Sequence, residues 1–238
     1  MDLDAIKFRA AINKGSELID GFNIVSPPSN FKRAHYLGMS GVANCPRSLW
    51  FSFNEIEEYN GQKTIPSTPA PNVTRILRMG HRLEEEIVQF MELGGLEITG
   101  RQLEFHDFDN KFRGHCDGIV TLSDKYFFDV KSMNRDSFEK FCNSNIRDTF
   151  YTYYCQLNMY MHYGNLRTKS FIVGYCKDNS EVEVKPVVYE EPLVKMLRRK
   201  VLNILLSKTA ETVVINRSEQ HCDFCTYKNI CNSLDDVK

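Results

Sequence analysis

The stretch GHCDGIVTLSDKYFFDVKSMN, Gly114 to Asn134, constrains this 238-residue chain more than any other. It reads as two strands joined by a turn at Ser123-Asp124-Lys125. The second strand, Tyr126 to Lys131, is mostly aromatic and β-branched, a composition suited to a sheet interior. Yet it carries Asp129 and Lys131, and the first strand carries Asp117. Strand side chains alternate between faces, so Asp129 and Lys131 share one face while Phe128 and Val130 point the other way into the core. Hairpin pairing brings Asp117 close to Asp129. Two adjacent carboxylates repel, and burial raises the cost. A divalent cation removes that penalty, and carboxylate oxygens suit Mg²⁺ or Mn²⁺. The bland alternative is an edge hairpin with a solvated Asp–Lys face.

The preceding helix weighs against that alternative. In RILRMGHRLEEEIVQFM, residues 75–91, the apolar positions Ile76, Leu77, Gly80, Leu83, Ile87, Val88 and Met91 form one stripe. Glu84 lies within it, His81 stands at its edge, and Glu85 and Glu86 turn progressively outward. A carboxylate in an apolar stripe needs a partner, and an imidazole beside it is a natural further ligand for a cation held by Asp117 and Asp129. Pairing of Glu84 with a core arginine, and a satisfied core histidine at His81, are the competing readings. In YTYYCQLNMYMHY, Gln156 and Tyr160 are spaced i, i+4 and meet on one helix face, flanked by Tyr153. Tyr and Met at this spacing also suit plain core packing.

The remaining segments supply the frame. Residues 1–44 give a mixed start broken by Gly15, Gly21, Pro27 and Pro28. Asn44 is a plausible cap for a helix opened by Pro46. Residues 58–72 read as a polar loop with three prolines, and Val73 to Leu93 as a helix ended by Gly94-Gly95. Strands are expected around 96–106, 112–121 and 125–131, then a helix over 147–163, strands at 169–176 and 181–189, and an amphipathic helix over 191–209. No internal repeat is present. This order predicts one α/β domain over 1–238, a central mixed β-sheet flanked by helices. Its parts are an N-terminal segment 1–44, a first helix and loop 45–72, a core 73–190 and a C-terminal helix with a cysteine group 191–238.

The formal net charge of −1 neither supports nor excludes nucleic acid as a partner, so a DNA surface would have to be a local basic patch. No apolar leader and no bilayer-length apolar run is visible. Eight cysteines then point to a reducing, cytoplasmic setting, where clustered cysteines bind metal more often than they form disulfides. Cys116, Cys142, Cys155 and Cys176 are scattered and read as small buried hydrophobes.

In order, His81, Glu84, Asp117, Asp129-Val130-Lys131 and Gln156-Leu157-Asn158-Met159-Tyr160 resemble the PD-(D/E)-x-K nuclease superfamily in its RecB-like branch. Cys45 in CPR, with C-terminal Cys222-x2-Cys225-x5-Cys231, is similar to the iron–sulphur members of that branch, such as the AddB nuclease domain and the CRISPR-associated RecB-like exonucleases. The resemblance spans residues 45–231. It departs at Cys116-Asp117, where many relatives have Pro-Asp, and in the helical glutamate, which spacing in many relatives would place at Glu85 and the apolar stripe places at Glu84.

The resemblance implies a restriction-endonuclease-like core and metal-dependent hydrolysis of DNA, most simply by an exonuclease acting on single strands or free ends. His81, Asp117, Asp129 and the Val130 carbonyl would hold Mg²⁺ or Mn²⁺. Lys131 would orient the attacking water or stabilise developing charge, Glu84 would steady it, and Gln156 and Tyr160 would position the DNA strand. Arg75, Arg78, Arg82, Arg198 and Arg199 are candidates for backbone contacts. Cys45, Cys222, Cys225 and Cys231 would hold a 4Fe–4S cluster, with zinc as the alternative occupant of four thiolates. The alternative function is a catalytically idle DNA-binding subunit of a repair or CRISPR-adaptation complex.

Overall fold

A computed structural model describes residues 2–18, 35–65, 71–215, 222 and 225–235, apart from the side chains of 15–18 and 71–78. Its centre is a five-stranded mixed sheet in the order β10-β9-β8-β7-β4. These strands are β4 (Glu97–Thr99), β7 (Gly118–Thr121), β8 (Lys125–Met133), β9 (Lys169–Cys176) and β10 (Val182–Val188). β8 and β9 are parallel, and every other pair is antiparallel. The parallel step requires a crossover, supplied by α4 (Arg135–Asn143), α5 (Ile146–Thr149) and α6 (Tyr151–Tyr163).

Both faces of the sheet are covered. On one, Phe128, Val130, Phe171 and Val173 pack with Phe8 and Ile12 of α1 (Leu3–Leu18) and with Ile87, Val88 and Met91 of α3 (Pro71–Leu93). On the other, Phe127 and Ile172 meet Leu157 and Tyr160 of α6. Beyond α6 lie α2 (Pro46–Phe53), α7 (Glu191–Leu206) and α8 (Lys228–Asp235). The alternation of Phe127 and Phe128 between these cores is the period-2 rule applied to a strand buried on both sides.

Several expected elements are redrawn. The broken start contains a full helix: Ala5, Phe8 and Ile12 make an i, i+3, i+7 stripe, all buried. Gly94, expected only as a helix stop, also lets α1 approach, because a Cβ there would lie 1.7 Å from the Ala11 carbonyl oxygen. Gly95 has φ +87°, the left-handed stop itself. The polar loop holds a hairpin of β2 (Glu58–Tyr59) and β3 (Gln62–Lys63), turned at Asn60-Gly61 with both φ positive. Residues 66–70 of that loop, and Gly21, Pro27 and Pro28, lie outside the described residues. Asn44 is not the cap of α2; Cys45 takes that position without a side-chain cap bond. Helix α4 escaped the sequence reading, although Asn134 caps it by accepting from the Ser137 N–H, and Phe138 and Phe141 are buried on one face. The helix expected over 147–163 is α5 and α6, and α7 stops at Leu206, short of residue 209.

The most consequential change concerns two strands that bend. The expected 96–106 divides into β4 and β5 (Glu104–Asp107), and 112–121 divides into β6 (Phe112–His115) and β7. β5 and β6 leave the main sheet for a smaller one with β1 (Leu37–Gly38). Positive φ at Gly100 (56°) and Gln102 (54°) turns the first strand. The second breaks at Cys116-Asp117, between β6 and β7. No helix among the described residues is long and apolar enough to cross a membrane.

Candidate active site

The break before β7 is what places Asp117. Gly118 pairs with Phe128 across the β7–β8 ladder, so Asp117 falls beside Asp129. Freed from the ladder, its Oδ2 accepts a 2.7 Å hydrogen bond from the Val130 N–H. Its Oδ1 lies 3.5 Å from Gln102 Nε2. Burial and the neighbouring Asp129 charge push the Asp117 carboxyl up to about 7, against the pull of Lys131.

Asp129 is 3% exposed. Its Oδ1 accepts from Gln156 Nε2 at 3.3 Å. Its Oδ2 is ion-paired with Lys131, which shares its face of β8. Burial opposes the charged amine of Lys131, but Asp129 and Asp117 outweigh it and hold its pKa above the ordinary lysine value.

Gln156 and Tyr160 meet as their spacing predicts, with Gln156 Nε2 donating to the Tyr160 hydroxyl at 2.7 Å. They are 5% and 2% exposed. Gln156 thus grips Asp129 from inside the core, and Tyr160 holds Gln156 in place. The i, i+4 spacing shows the pair but not its depth.

α3 brings the glutamates. A Cβ at Gly80 would lie 3.3 Å from Ser132 Oγ, so a glycine here lets the helix settle close to β8 one residue beyond Lys131. Glu85 pairs with Arg101, whereas the charge of Glu84 acts on both Asp117 and Lys131. Glu86 is half-buried rather than outward, and burial raises its carboxyl. His81 has a side chain 67% exposed, and its Nδ1 lies 3.3 Å from Glu84 Oε2. Among the described residues, no three His, Cys, Asp or Glu side chains are grouped so as to hold a metal ion. At this site Lys131 is ion-paired with Asp129 Oδ2, and the His81 side chain is exposed. The donor set itself, two carboxylates and a strand carbonyl with a third carboxylate nearby, suits a hard cation.

Among the candidate DNA-contacting arginines, Arg198 is occupied elsewhere. It donates to Asp107 at 2.9 Å and lies over the Phe108 and Tyr163 rings. Arg82 and Arg199 are exposed, and the side chains of Arg75 and Arg78 lie outside the described residues. A residue the sequence offered only as a flank is Tyr153, whose ring centroid is 5.4 Å from Lys131 Nζ.

The cysteines behave in two ways. Cys116, Cys155 and Cys176 are buried, as expected, and Cys142 is partly so. Cys45, Cys222, Cys225 and Cys231, from opposite ends of the chain, line one small cavity of about 30 Å³. Each of the other three acts electrostatically on Cys225, and Arg47 donates to Cys231 Sγ at 3.3 Å. None of the four forms a disulfide. Four thiols are chemically suited to zinc or to an iron–sulphur cluster.

No protein-family model and no curated protein matches the chain. Among solved structures, it is similar to the alkaline exonuclease LHK-Exo from Laribacter hongkongensis. The TM-score is 0.51 at 17% identity, over 73% of this chain and 87% of that one. The structure of LHK-Exo in complex with dAMP gives the same values. SSO0001 aligns over 97% of this chain and 96% of its own, with a TM-score of 0.48 and 11% identity. At such identities the likeness is one of architecture: this chain shares the α/β fold of an alkaline exonuclease.

Proposed function

We propose that this protein is a metal-dependent DNA exonuclease of PD-(D/E)-x-K type, hydrolysing phosphodiester bonds at single-stranded or free ends. The observation that carries the reading is the meeting of Asp117, at the β6–β7 break, with Asp129 and Lys131 on β8, Asp129 being gripped by Gln156. The fold shared with LHK-Exo, an alkaline exonuclease seen with dAMP, supports it.

Asp117, Asp129 and the Val130 carbonyl would hold Mg²⁺ or Mn²⁺, with Glu84 beside them and His81 one helical turn earlier. A bound cation polarises the scissile phosphate and lowers the pKa of a bound water. The chain's own groups then divide the work. The Val130 N–H fixes Asp117, and Gln156 fixes Asp129. Lys131 presents a permanent positive charge to the phosphate oxygens or the attacking water. Glu84 accepts a hydrogen bond from that water or from Lys131. Arg82 and Arg199, both exposed, are free to meet the DNA backbone.

The second part of the proposal is a thiolate centre at Cys45, Cys222, Cys225 and Cys231, joining the two ends of the chain. The resemblance assigns it a 4Fe–4S cluster, with zinc as the alternative occupant of four thiolates. The test of function is cleavage of single- and double-stranded DNA, labelled at either end, with and without Mn²⁺ or Mg²⁺. Metal-dependent loss of label from an end is expected. Intact DNA under every metal condition rejects the reading.

A further inference from the structure

Both oxygens of Asp129 are engaged, by partners of different mobility. Oδ1 takes Gln156, which is itself held by the Tyr160 hydroxyl inside the core. Oδ2 takes Lys131, whose side chain is 20% exposed. Gln156 has nowhere to go, whereas Lys131 sits on a flexible four-carbon stem. A cation ligated by Asp129 therefore has to displace Lys131. An ammonium that leaves a carboxylate in a half-buried site needs another partner, or it stays and competes.

That partner is in place. The Tyr153 ring lies 5.4 Å from Lys131 Nζ, within the range at which an aromatic face attracts an ammonium. The ring is backed by Phe150, stacked on it at 5.8 Å and 11°. Phe150 is in turn set edge-on against Phe141 at 5.7 Å and 75°. Tyr153 and Gln156 stand three residues apart on α6, so one helix fixes both the carboxylate and the alternative seat for the amine.

We propose that Tyr153 is a positioning residue that receives Lys131 when a divalent cation takes Asp129 Oδ2. The amine is thereby kept beside the reacting phosphate instead of competing for the carboxylate. This rests on the metal-dependent reading above. It requires the face of the ring and not the hydroxyl.

The test is Mn²⁺ affinity, measured by calorimetry on the full chain without DNA, for wild type, Tyr153→Phe, Tyr153→Leu, Lys131→Met and the double variant Tyr153→Leu/Lys131→Met. Tyr153→Phe should bind as wild type does. Tyr153→Leu should weaken Mn²⁺ binding by at most about thirtyfold, the full worth of a cation–π contact, because the ring already lies 5.4 Å from the amine in the ion-paired state and only the gain on closer approach counts. Lys131→Met should bind more tightly than wild type, and adding Tyr153→Leu to it should change nothing. Tyr153→Leu binding as wild type does, or losing affinity equally with and without Lys131, overturns the proposal. If Tyr153→Leu does not fold, Tyr153→Met removes the ring face while keeping a flexible apolar side chain. Wild type that binds no Mn²⁺ sinks the metal-dependent reading and this inference together. Mn²⁺ binding that is indifferent to Tyr153 sinks the inference alone.

Discussion

Lys131 and Asp129 lie two residues apart on one face of β8, and only one of them can ligate a cation. Their replacements should therefore differ. Lys131→Ala is expected to lower the cleavage rate by about 10²–10³, the usual loss for one preorganised charged donor, without weakening Mn²⁺ binding. Asp129→Ala is expected to lose both cleavage and Mn²⁺ affinity, which parallel rate and calorimetric measurements would show. Cleavage at the wild-type rate by Lys131→Ala would reduce the opening hairpin to a charged surface. The shared face was legible because strand periodicity is strictly two. The grip of Gln156 on Asp129 was not, because helical spacing reports which residues are neighbours and not how deep they lie.

Helix α1 shows the same limit for an element. Its apolar stripe is short and followed by Gly15 and later prolines, so the local pattern reads as a broken start. Its stability comes from tertiary packing. Phe8 is fully buried, edge-on to Phe128 at 5.9 Å and Phe171 at 5.5 Å. Phe8→Ala should cost about 3–5 kcal/mol in denaturant unfolding. The first turn is also pinned electrostatically: Lys169 Nζ bonds Asp4 at 2.9 Å and Asp2 at 2.8 Å. The Lys169 bond, helped by Ser123, holds the Asp4 carboxyl below its ordinary value despite partial burial. A carboxylate with a depressed folded pKa stabilises above its unfolded pKa, near 3.8, and loses that contribution as pH falls through the folded value. Lys169→Met should therefore cost roughly 1 kcal/mol at neutral pH. Thermal melts of the two proteins should converge in acid, once pH has fallen below the depressed folded values of Asp4 and Asp2; a gap that persists there would show that Lys169 acts through packing alone.

At the scale of the whole molecule, the thiol cavity joins α2 to α8 across most of the chain. Cys45→Ala should lower the melting temperature by roughly 10 °C or more if a bound centre ties the two ends. An unchanged melt would refute the tie. Protein purified without oxygen is expected to contain iron and sulphide. Stoichiometric zinc with neither would reject the cluster, while leaving the cleavage reading intact.

The sequence by itself determined the mixed α/β plan, the alternation that puts Asp129 and Lys131 together, and the i, i+4 pairing of Gln156 with Tyr160. These follow from periods of two and 3.6, which are local properties of the backbone. Only the tertiary structure decided which oxygen of Asp129 each partner holds, that Glu85 turns to Arg101 while Glu84 acts on the site, and that Tyr153 stands over Lys131. It also decided that two strands break, and that one break frees Asp117 to bond Val130. Each of those outcomes depends on where a second element lies, and the chemistry of the site is made of such meetings between elements distant in sequence.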